Sequence, residues 1–160
     1  MDRRPLAKFC LALLVCFTAT TAVTAAEKTA VKKVDWQPNL TAAHKLSLKT
    51  GKPILLVFGA DWCFFCHKLE RETLNEANMA KFINNNFIAV KLDLEKDEKV
   101  AKILKVKSLP ATIVVNSDAD MLANIVGYQK SGSYAKNLRN ALRVHQELRQ
   151  VSGEKATTTK

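Results

Sequence analysis

The chain has 160 residues and a formal net charge of +10, with 48% hydrophobic and 25% charged residues. That length and balance are typical of one soluble globular domain. The lysines are scattered among acidic residues and no aromatic residues interleave with a basic patch, so the composition argues against nucleic-acid binding and favours a solvated basic surface.

Residues 1–26 have the layout of a secretory signal peptide. A positive segment at 1–8 precedes a run of nine apolar residues at 9–17 and a stretch rich in Ala and Thr at 18–26. This order predicts export to the periplasm or out of the cell, with cleavage after Ala25 or Ala26.

Two membrane-attached alternatives remain open. An uncleaved anchor is disfavoured because nine apolar residues fall short of the roughly 20 that a spanning helix needs. A lipoprotein attached at Cys16 is disfavoured because Val15 stands where lipoprotein signals have a small residue. We therefore expect no stable membrane insertion after cleavage. We also expect a monomer.

Cleavage changes the number of cysteines. Cys10 and Cys16 leave with the signal, so the mature chain keeps only Cys63 and Cys66. An exported protein with one closely spaced pair has no disulfide framework for stability. The pair is therefore expected to be reactive rather than structural.

The mature chain alternates apolar runs with amphipathic segments. Its first half predicts an extended lead-in at 29–38, a helix from Asn39 or Thr41 to about Thr50, a buried strand at 54–58, and a helix of about 20 residues from Cys63 that breaks near Asn75. Its second half predicts strands at 87–92, 112–115 and 121–126 and helices at 97–104 and 131–150. The segment 152–160 has almost no apolar residues and predicts a disordered tail.

This order of elements indicates an α/β domain at 27–151. The early strands alternate with helices, whereas the last two strands are joined by a four-residue turn at 117–120 and form a hairpin. A central mixed sheet of four to five strands, flanked by helices, satisfies both connections.

The cysteine pair lies where the first buried strand gives way to a helix. A thiolate attacks disulfides and a free thiol does not, and placement at a helix N-terminus lowers cysteine pKa values to roughly 3.5–7.5. This placement is expected to lower the pKa of the Cys63 thiol, and in such a pair one cysteine attacks and the other resolves. Cys66 lies one turn further along, within reach of a disulfide, and is expected to be the less exposed of the two. Asp61 is a candidate helix cap.

Two segments resemble the thioredoxin superfamily. Residues 57–68 read VFGADWCFFCHK, which is similar to the active-site strand and helix of that family. Residues 106–112 read VKSLPAT and resemble its cis-proline loop, and Gly127 falls where the family has a glycine before its last helix. The resemblance covers about residues 36–150 and implies a thioredoxin-like fold.

Several site residues follow from the resemblance. It implies that Cys63 is the nucleophile, Cys66 the resolving cysteine and Pro110 a cis-proline. It also implies that Leu109 offers backbone hydrogen bonds to an extended substrate. Protein thiols or disulfides are then the expected substrates, with a membrane thiol redox partner and no cofactor.

One position departs from thioredoxins proper. They have a buried Asp six residues before the first cysteine, as proton acceptor for the resolving thiol, and this chain has Val57. Glu70, four residues after Cys66 on the same helix face, is the candidate replacement. The C-terminal reductase domain of bacterial DsbD has a glutamate at this spacing, and residues 53–93 most resemble small exported proteins of that kind. A solvated helix acid is the alternative interpretation of Glu70.

The residues around the cysteines suggest the direction of the reaction. Phe64 and Phe65 replace the histidine that raises the potential of strong oxidases, which favours a reductant or isomerase. Two phenylalanines beside a reactive thiol also predict an apolar docking surface for protein substrates, and inward packing of one of them is the alternative. Trp62 is a candidate for that surface, although packing is its more common role.

Two other function classes fit parts of the sequence. Cys63, Cys66 and His67 match the c-type haem motif Cys-x-x-Cys-His, but here the motif follows a buried strand. The same three residues fall short of the four ligands of structural zinc, so we expect no bound metal. A non-catalytic binding or chaperone module with this fold is the third alternative.

Overall fold

A computed structural model of the protein describes residues 33–158. The predicted signal peptide at 1–26 lies outside the described residues. Within residues 33–158, no helix combines the length and the apolar character needed to cross a membrane.

The described residues form one mixed five-stranded sheet, which confirms the predicted fold class. Its spatial order is β1-β3-β2-β4-β5, with β2 parallel to β3 and antiparallel to β4. The strands are β1 (Trp36–Gln37), β2 (Ile54–Gly59), β3 (Ile88–Asp93), β4 (Ala111–Val115) and β5 (Met121–Val126). The central position of β2 explains its continuously apolar sequence, since a strand covered on both faces has no polar side.

In the described part of the chain, five α-helices flank the sheet. They are α1 (Leu40–Thr50), α2 (Phe64–Leu69), α3 (Ala77–Asn86), α4 (Glu98–Ile103) and α5 (Ser131–Thr158). Asn39 caps α1 by accepting a hydrogen bond from Ala42 N at 2.8 Å, and Gly51 ends the helix with φ of 68°. Both ends agree with the predicted signals, since Asn favours the N-cap and only glycine adopts positive φ without cost.

Alternation along β2 produces two core layers. Leu55 and Val57 point to one layer, where they are buried with Leu69 of α2 and Leu138 of α5. Ile54, Leu56 and Phe58 point to the opposite layer, which contains residues of α1 and α4. Successive side chains of a strand face opposite sides of the sheet, so one short segment anchors both layers.

Tyr134 is the largest fully buried side chain of the first layer. Its hydroxyl forms a hydrogen bond of 2.9 Å with Thr112 Oγ1, and burial raises its pKa. Because an unpaired buried hydroxyl costs stability, this bond satisfies both groups at the junction of α5 and β4.

Two helices differ from their predicted form. The helix after Cys63 breaks near Asn75 as predicted, but residues Glu70–Leu74 form a π-helical turn that no pattern indicated. Helix α5 continues eight residues beyond the predicted end at Gln150, through most of the segment predicted to be disordered. Adding residues to a formed helix costs little, and that segment has no proline.

Candidate active site

The two cysteines form a disulfide at the start of α2. Their Sγ atoms are 2.10 Å apart and their Cα atoms 5.3 Å apart. Cys63 has an extended backbone and is the N-cap of the helix, where its Sγ accepts a hydrogen bond of 3.2 Å from Cys66 N. The prediction that Asp61 caps this helix is wrong, because the chain makes a further turn before the helix begins.

The exposure of the two cysteines reverses the predicted order. Cys63 is buried, with 6% of its surface exposed, whereas Cys66 is partly exposed. As N-cap, Cys63 has extended backbone and its sulfur turns back over the first helical turn, while Cys66 belongs to the wall of a cavity. The expectation that the second cysteine is the more hidden one is therefore wrong in the disulfide form.

Three exposed aromatic residues are next to the two cysteines in sequence, and we call them the aromatic surface: Trp62, Phe64 and Phe65. Their exposed fractions are 67%, 68% and 53%. The two phenylalanine rings meet edge to face, with centroids 5.4 Å apart, and Trp62 Nε1 donates a hydrogen bond of 2.8 Å to Glu95 Oε1. Apolar area exposed in one cluster is typical of a contact surface rather than of core packing.

The loop before β4 reaches the same region. The Leu109–Pro110 peptide bond is cis, as the resemblance implied. Pro110 is buried and Leu109 half-buried, and the Pro110 carbonyl accepts a hydrogen bond of 2.8 Å from Gly127 N. This bond ties the predicted cis-proline loop to the glycine before the last helix.

A cavity of about 380 Å³ adjoins the second cysteine, and we call it the Cys66 cavity. Strand β2, helix α2, the end of β3 and Pro110 contribute its walls. The wall residues include Gly59, Cys66, Glu70, Lys91, Asp93 and Pro110. Cys66, Glu70 and Pro110, three of the residues predicted from sequence, therefore line one space.

Glu70 is in an ion pair on the wall of this cavity. Its Oε1 accepts a hydrogen bond from Lys91 Nζ of β3, and both side chains are about two-fifths exposed, at 39% and 42%. Lys91 is paired in register with Val57 of β2. Val57 occupies the strand position at which thioredoxins have an acid. Because Lys91 is the strand neighbour of Val57 and also binds Glu70, the Glu70 carboxylate approaches that position from the helix.

A π-helical turn directly follows α2. It begins at Glu70, whose backbone N–H still donates to the carbonyl of Cys66 one turn earlier. Single π turns inside α-helices are frequent at functional sites, because the extra residue per turn redirects the side chains that follow.

Asp93 is another carboxylate on the wall of the Cys66 cavity, as are Asp61 and Asp97. Its Oδ1 accepts hydrogen bonds from the backbone N–H groups of Lys96 and Glu95, each at 3.0 Å. The bond from Lys96 is the main cause that lowers the pKa of Asp93. Because backbone hydrogen bonds already hold this carboxylate, Glu70 is the better candidate proton acceptor of the two.

The haem and zinc interpretations depend on His67. Its Nε2 donates a hydrogen bond of 2.9 Å to the Asp61 carbonyl, so that nitrogen must give up this bond before it coordinates a metal. In the part of the chain from 33 to 158, no three His, Cys, Asp or Glu side chains are grouped as metal ligands. The geometry of this segment is that of a redox-active pair.

Sequence reasoning missed the partners of the predicted residues. Lys91 pairs with Glu70, and Glu95 holds Trp62. One signal was available for Lys91, since it is the single charged residue within the apolar run of residues 87–92. A single charge within an apolar run is a reason to look for a specific partner.

The comparisons with known proteins agree with this geometry. The thioredoxin-like domain family matches residues 40–142. Spermatogenesis-associated protein 20 of Mus musculus is 35% identical over 74 residues, which is 46% of this chain and 9% of that protein. The thiol:disulfide interchange protein DsbD of Ralstonia nicotianae is 28% identical over 104 residues, 62% of this chain and 17% of DsbD.

A solved structure extends the comparison to the backbone. The DsbH oxidoreductase superposes with a TM-score of 0.64 and 21% identity, covering 69% of this chain and 85% of that structure. At this identity the likeness shows the fold. The chain spans less than a fifth of the length of the two relatives above, so it corresponds to one segment of each.

Proposed function

Because the chain belongs to the thioredoxin-like family and has the cysteine pair of a thiol–disulfide oxidoreductase, we propose that it exchanges disulfides with protein substrates outside the cytoplasm. The observation that carries the proposal is the Cys63–Cys66 disulfide at the start of a helix, beside a cavity that Cys66 shares with Pro110. Its homology to DsbD supports the same chemistry.

The proposed cycle begins with the reduced pair. The Cys63 thiolate attacks one sulfur of a substrate disulfide, forms a mixed disulfide and expels the other substrate sulfur as a thiolate. Cys66 then loses its proton and attacks Cys63 Sγ, which releases the second substrate thiol. The protein is left with the disulfide seen in the structure, and the substrate has gained two electrons and two protons.

Glu70 is proposed to accept the proton of Cys66 in the second step. Both residues line the Cys66 cavity, one helical turn apart. Lys91 Nζ donates a hydrogen bond to the carboxylate and holds it on the cavity wall, where a carboxylate oxygen is a suitable acceptor for the proton. Where the Cys66 thiol and the Glu70 carboxylate are not in contact, a water molecule in the open cavity carries the proton between them.

The aromatic surface and Leu109 are proposed to bind the substrate. Trp62, Phe64 and Phe65 are more than half exposed and next to the cysteines in sequence, and Leu109 precedes the cis bond beside the same site. An extended peptide would contact the rings with its apolar side chains and the loop with its backbone. Unfolded or partly folded proteins offer both features.

The absence of a histidine between the cysteines favours a reductant or isomerase over an oxidase. The reduction potential of the Cys63–Cys66 pair tests both the activity and its direction. After equilibration in glutathione or dithiothreitol buffers, the fraction of alkylated thiol should give a potential near about −270 mV, the value of thioredoxin. A value near about −120 mV indicates an oxidase, and a pair that does not equilibrate with either buffer is not redox-active.

We also propose that residues 1–26 direct the chain out of the cytoplasm, where a membrane thiol partner supplies its electrons. The intact mass of protein recovered from the periplasm or medium should correspond to cleavage after Ala25 or Ala26. A Cys66→Ser variant, which lacks the resolving thiol, should capture the partner as a mixed disulfide. Full-length protein retained in the cytoplasm contradicts the export proposal.

A further inference from the structure

A second cavity lies at the start of helix α5. It has a volume of about 550 Å³, and we call it the lysine groove. The segment after β5 and the first turns of α5 line it with Tyr128, Gln129, Lys130, Ser133, Lys136 and Asn137. These described residues include two lysines and no acidic residue, so the lining of the groove is positively charged.

The two lysines of the groove have no acidic partner. Both are exposed, and neither Lys130 nor Lys136 is in an ion pair with a residue that the structure describes. Glu72 accepts a hydrogen bond of 2.8 Å from the Tyr128 hydroxyl and is in an ion pair with the adjacent arginine. Glu76 lines a different cavity. The positive charge of the groove is therefore available to a ligand.

The groove adjoins the site proposed to bind protein substrates. Gly127, the residue before Tyr128, donates the hydrogen bond of 2.8 Å to the Pro110 carbonyl. The first lysine of the groove follows Gly127 by three residues, which places it at most about 11 Å away. An extended peptide advances about 3.3 Å per residue, so a segment bound at the cis-proline loop reaches the groove within about five residues.

Contacts with neighbouring elements fix the walls of the groove. Lys68 Nζ of α2 lies 4.7 Å from the centre of the Tyr128 ring and adds a third cation at this end. The buried Thr73 hydroxyl donates a hydrogen bond of 2.6 Å to the Gln129 carbonyl, and Asn137 Nδ2 donates one of 2.8 Å to Gln129 Oε1. A surface that is already ordered loses less conformational entropy when a ligand binds.

From these observations we propose that the lysine groove binds an acidic segment of the protein substrate, next to the substrate disulfide that Cys63 attacks. The ammonium groups attract glutamate and aspartate side chains, and the Ser133 hydroxyl is a further donor for a carboxylate oxygen. Complementary charge raises the rate of encounter between two proteins. Disulfides with acidic residues within about five positions are therefore reduced in preference to those with basic neighbours. This inference rests on the proposed function, since it requires a protein substrate.

Three synthetic peptides test the preference. Each contains the same two cysteines joined by a disulfide, with runs of glutamate, glutamine or lysine on both sides. At low ionic strength we expect kcat/KM for the glutamate peptide to exceed that for the glutamine peptide by about tenfold, and the lysine peptide to be the poorest substrate. Salt at about 1 M, where the Debye length is about 3 Å, should remove most of the difference. Equal values for the glutamate and glutamine peptides at low salt overturn the inference.

A double variant tests whether the groove causes the preference. Lys130→Gln combined with Lys136→Gln should raise KM for the glutamate peptide by about tenfold and leave its kcat and the reduction of the glutamine peptide unchanged. The matched control combines Lys45→Gln with Lys49→Gln, two exposed lysines of α1, which packs on the opposite face of the sheet. A control that loses the preference to the same extent contradicts the inference, because net charge would then be the cause.

Binding without turnover separates this inference from the proposed function. A labelled glutamate peptide with serine in place of both cysteines cannot be reduced, and fluorescence anisotropy measures its affinity at low salt. The wild type should bind it about tenfold more tightly than the double variant, since two surface charge pairs are lost. Equal affinities refute the groove as the binding site. A wild type that shows this difference and yet reduces none of the three disulfide peptides contradicts the proposed function instead.

Discussion

Replacing Cys63 with serine is expected to abolish the reduction of insulin disulfides, with a loss of about a thousandfold or more. The hydroxyl of serine stays protonated at neutral pH and lacks the nucleophilicity of a thiolate. Cys63 is also the residue whose sulfur receives a backbone hydrogen bond at the start of α2. The turbidity of precipitating insulin chains, measured at pH 7 with dithiothreitol as electron donor, gives the rate.

The Cys66→Ser variant is the informative control for this loss. It retains Cys63, so it should still form a mixed disulfide with insulin but should not complete the cycle. A covalent complex on a non-reducing gel therefore separates loss of resolution from loss of attack. If Cys63→Ser reduces insulin as fast as the wild type, the protein is a binding module with this fold and the oxidoreductase proposal fails.

The central part of the fold follows from the sequence because its signals are local. Strand β2 follows Pro53, ends at Gly59 and is apolar at every position between them, so its burial on both faces is predictable. The caps of α1 are equally local, since Asn39 and Gly51 have strong positional preferences. The cysteine spacing and the distal Leu109–Pro110 then fix which fold these elements build.

The details of the site depend on contacts between distant segments. Glu70 and Lys91 are 21 residues apart, and no periodicity connects a helix position to a position on a neighbouring strand. The π turn at Glu70 differs from an α-helix by one residue per turn. A pattern of apolar positions does not distinguish the two kinds of turn over so short a segment. The exposure of Cys66 depends on the shape of the cavity, and the absence of a side chain at Gly59 helps to create that space.

These contacts also give Asp93 and Glu70 different roles, which the amino-acid composition alone does not distinguish. Asp93 accepts two backbone hydrogen bonds and its pKa is lowered, chiefly by the bond from Lys96. It is therefore a structural carboxylate at the end of β3. Glu70 is paired with the side chain of Lys91, which is about two-fifths exposed. The Glu70 side chain can therefore rearrange when a proton moves.

Replacing Glu70 with glutamine is expected to slow the resolution of mixed disulfides by roughly 10- to 100-fold near pH 7, toward the low end of what a general base contributes because the site is open to water. The amide keeps the shape of the side chain and cannot accept the proton of Cys66. Above about pH 8.5, where a free thiol ionises without assistance, the defect should disappear. Stopped-flow release of the substrate thiol from a preformed mixed disulfide on Cys63, measured from pH 6 to pH 9, provides the profile.

The matched control for this prediction is Glu98→Gln in α4. Glu98 forms a comparable surface ion pair, with Lys102 at 2.6 Å, and it does not line the Cys66 cavity among the described residues. Surface pairs of this kind contribute about 0–1 kcal/mol, so the control should match the wild type in both rate and pH profile. A Glu70→Gln defect that persists unchanged at pH 9 would assign the residue a structural role, because only proton transfer is relieved when the thiol ionises by itself.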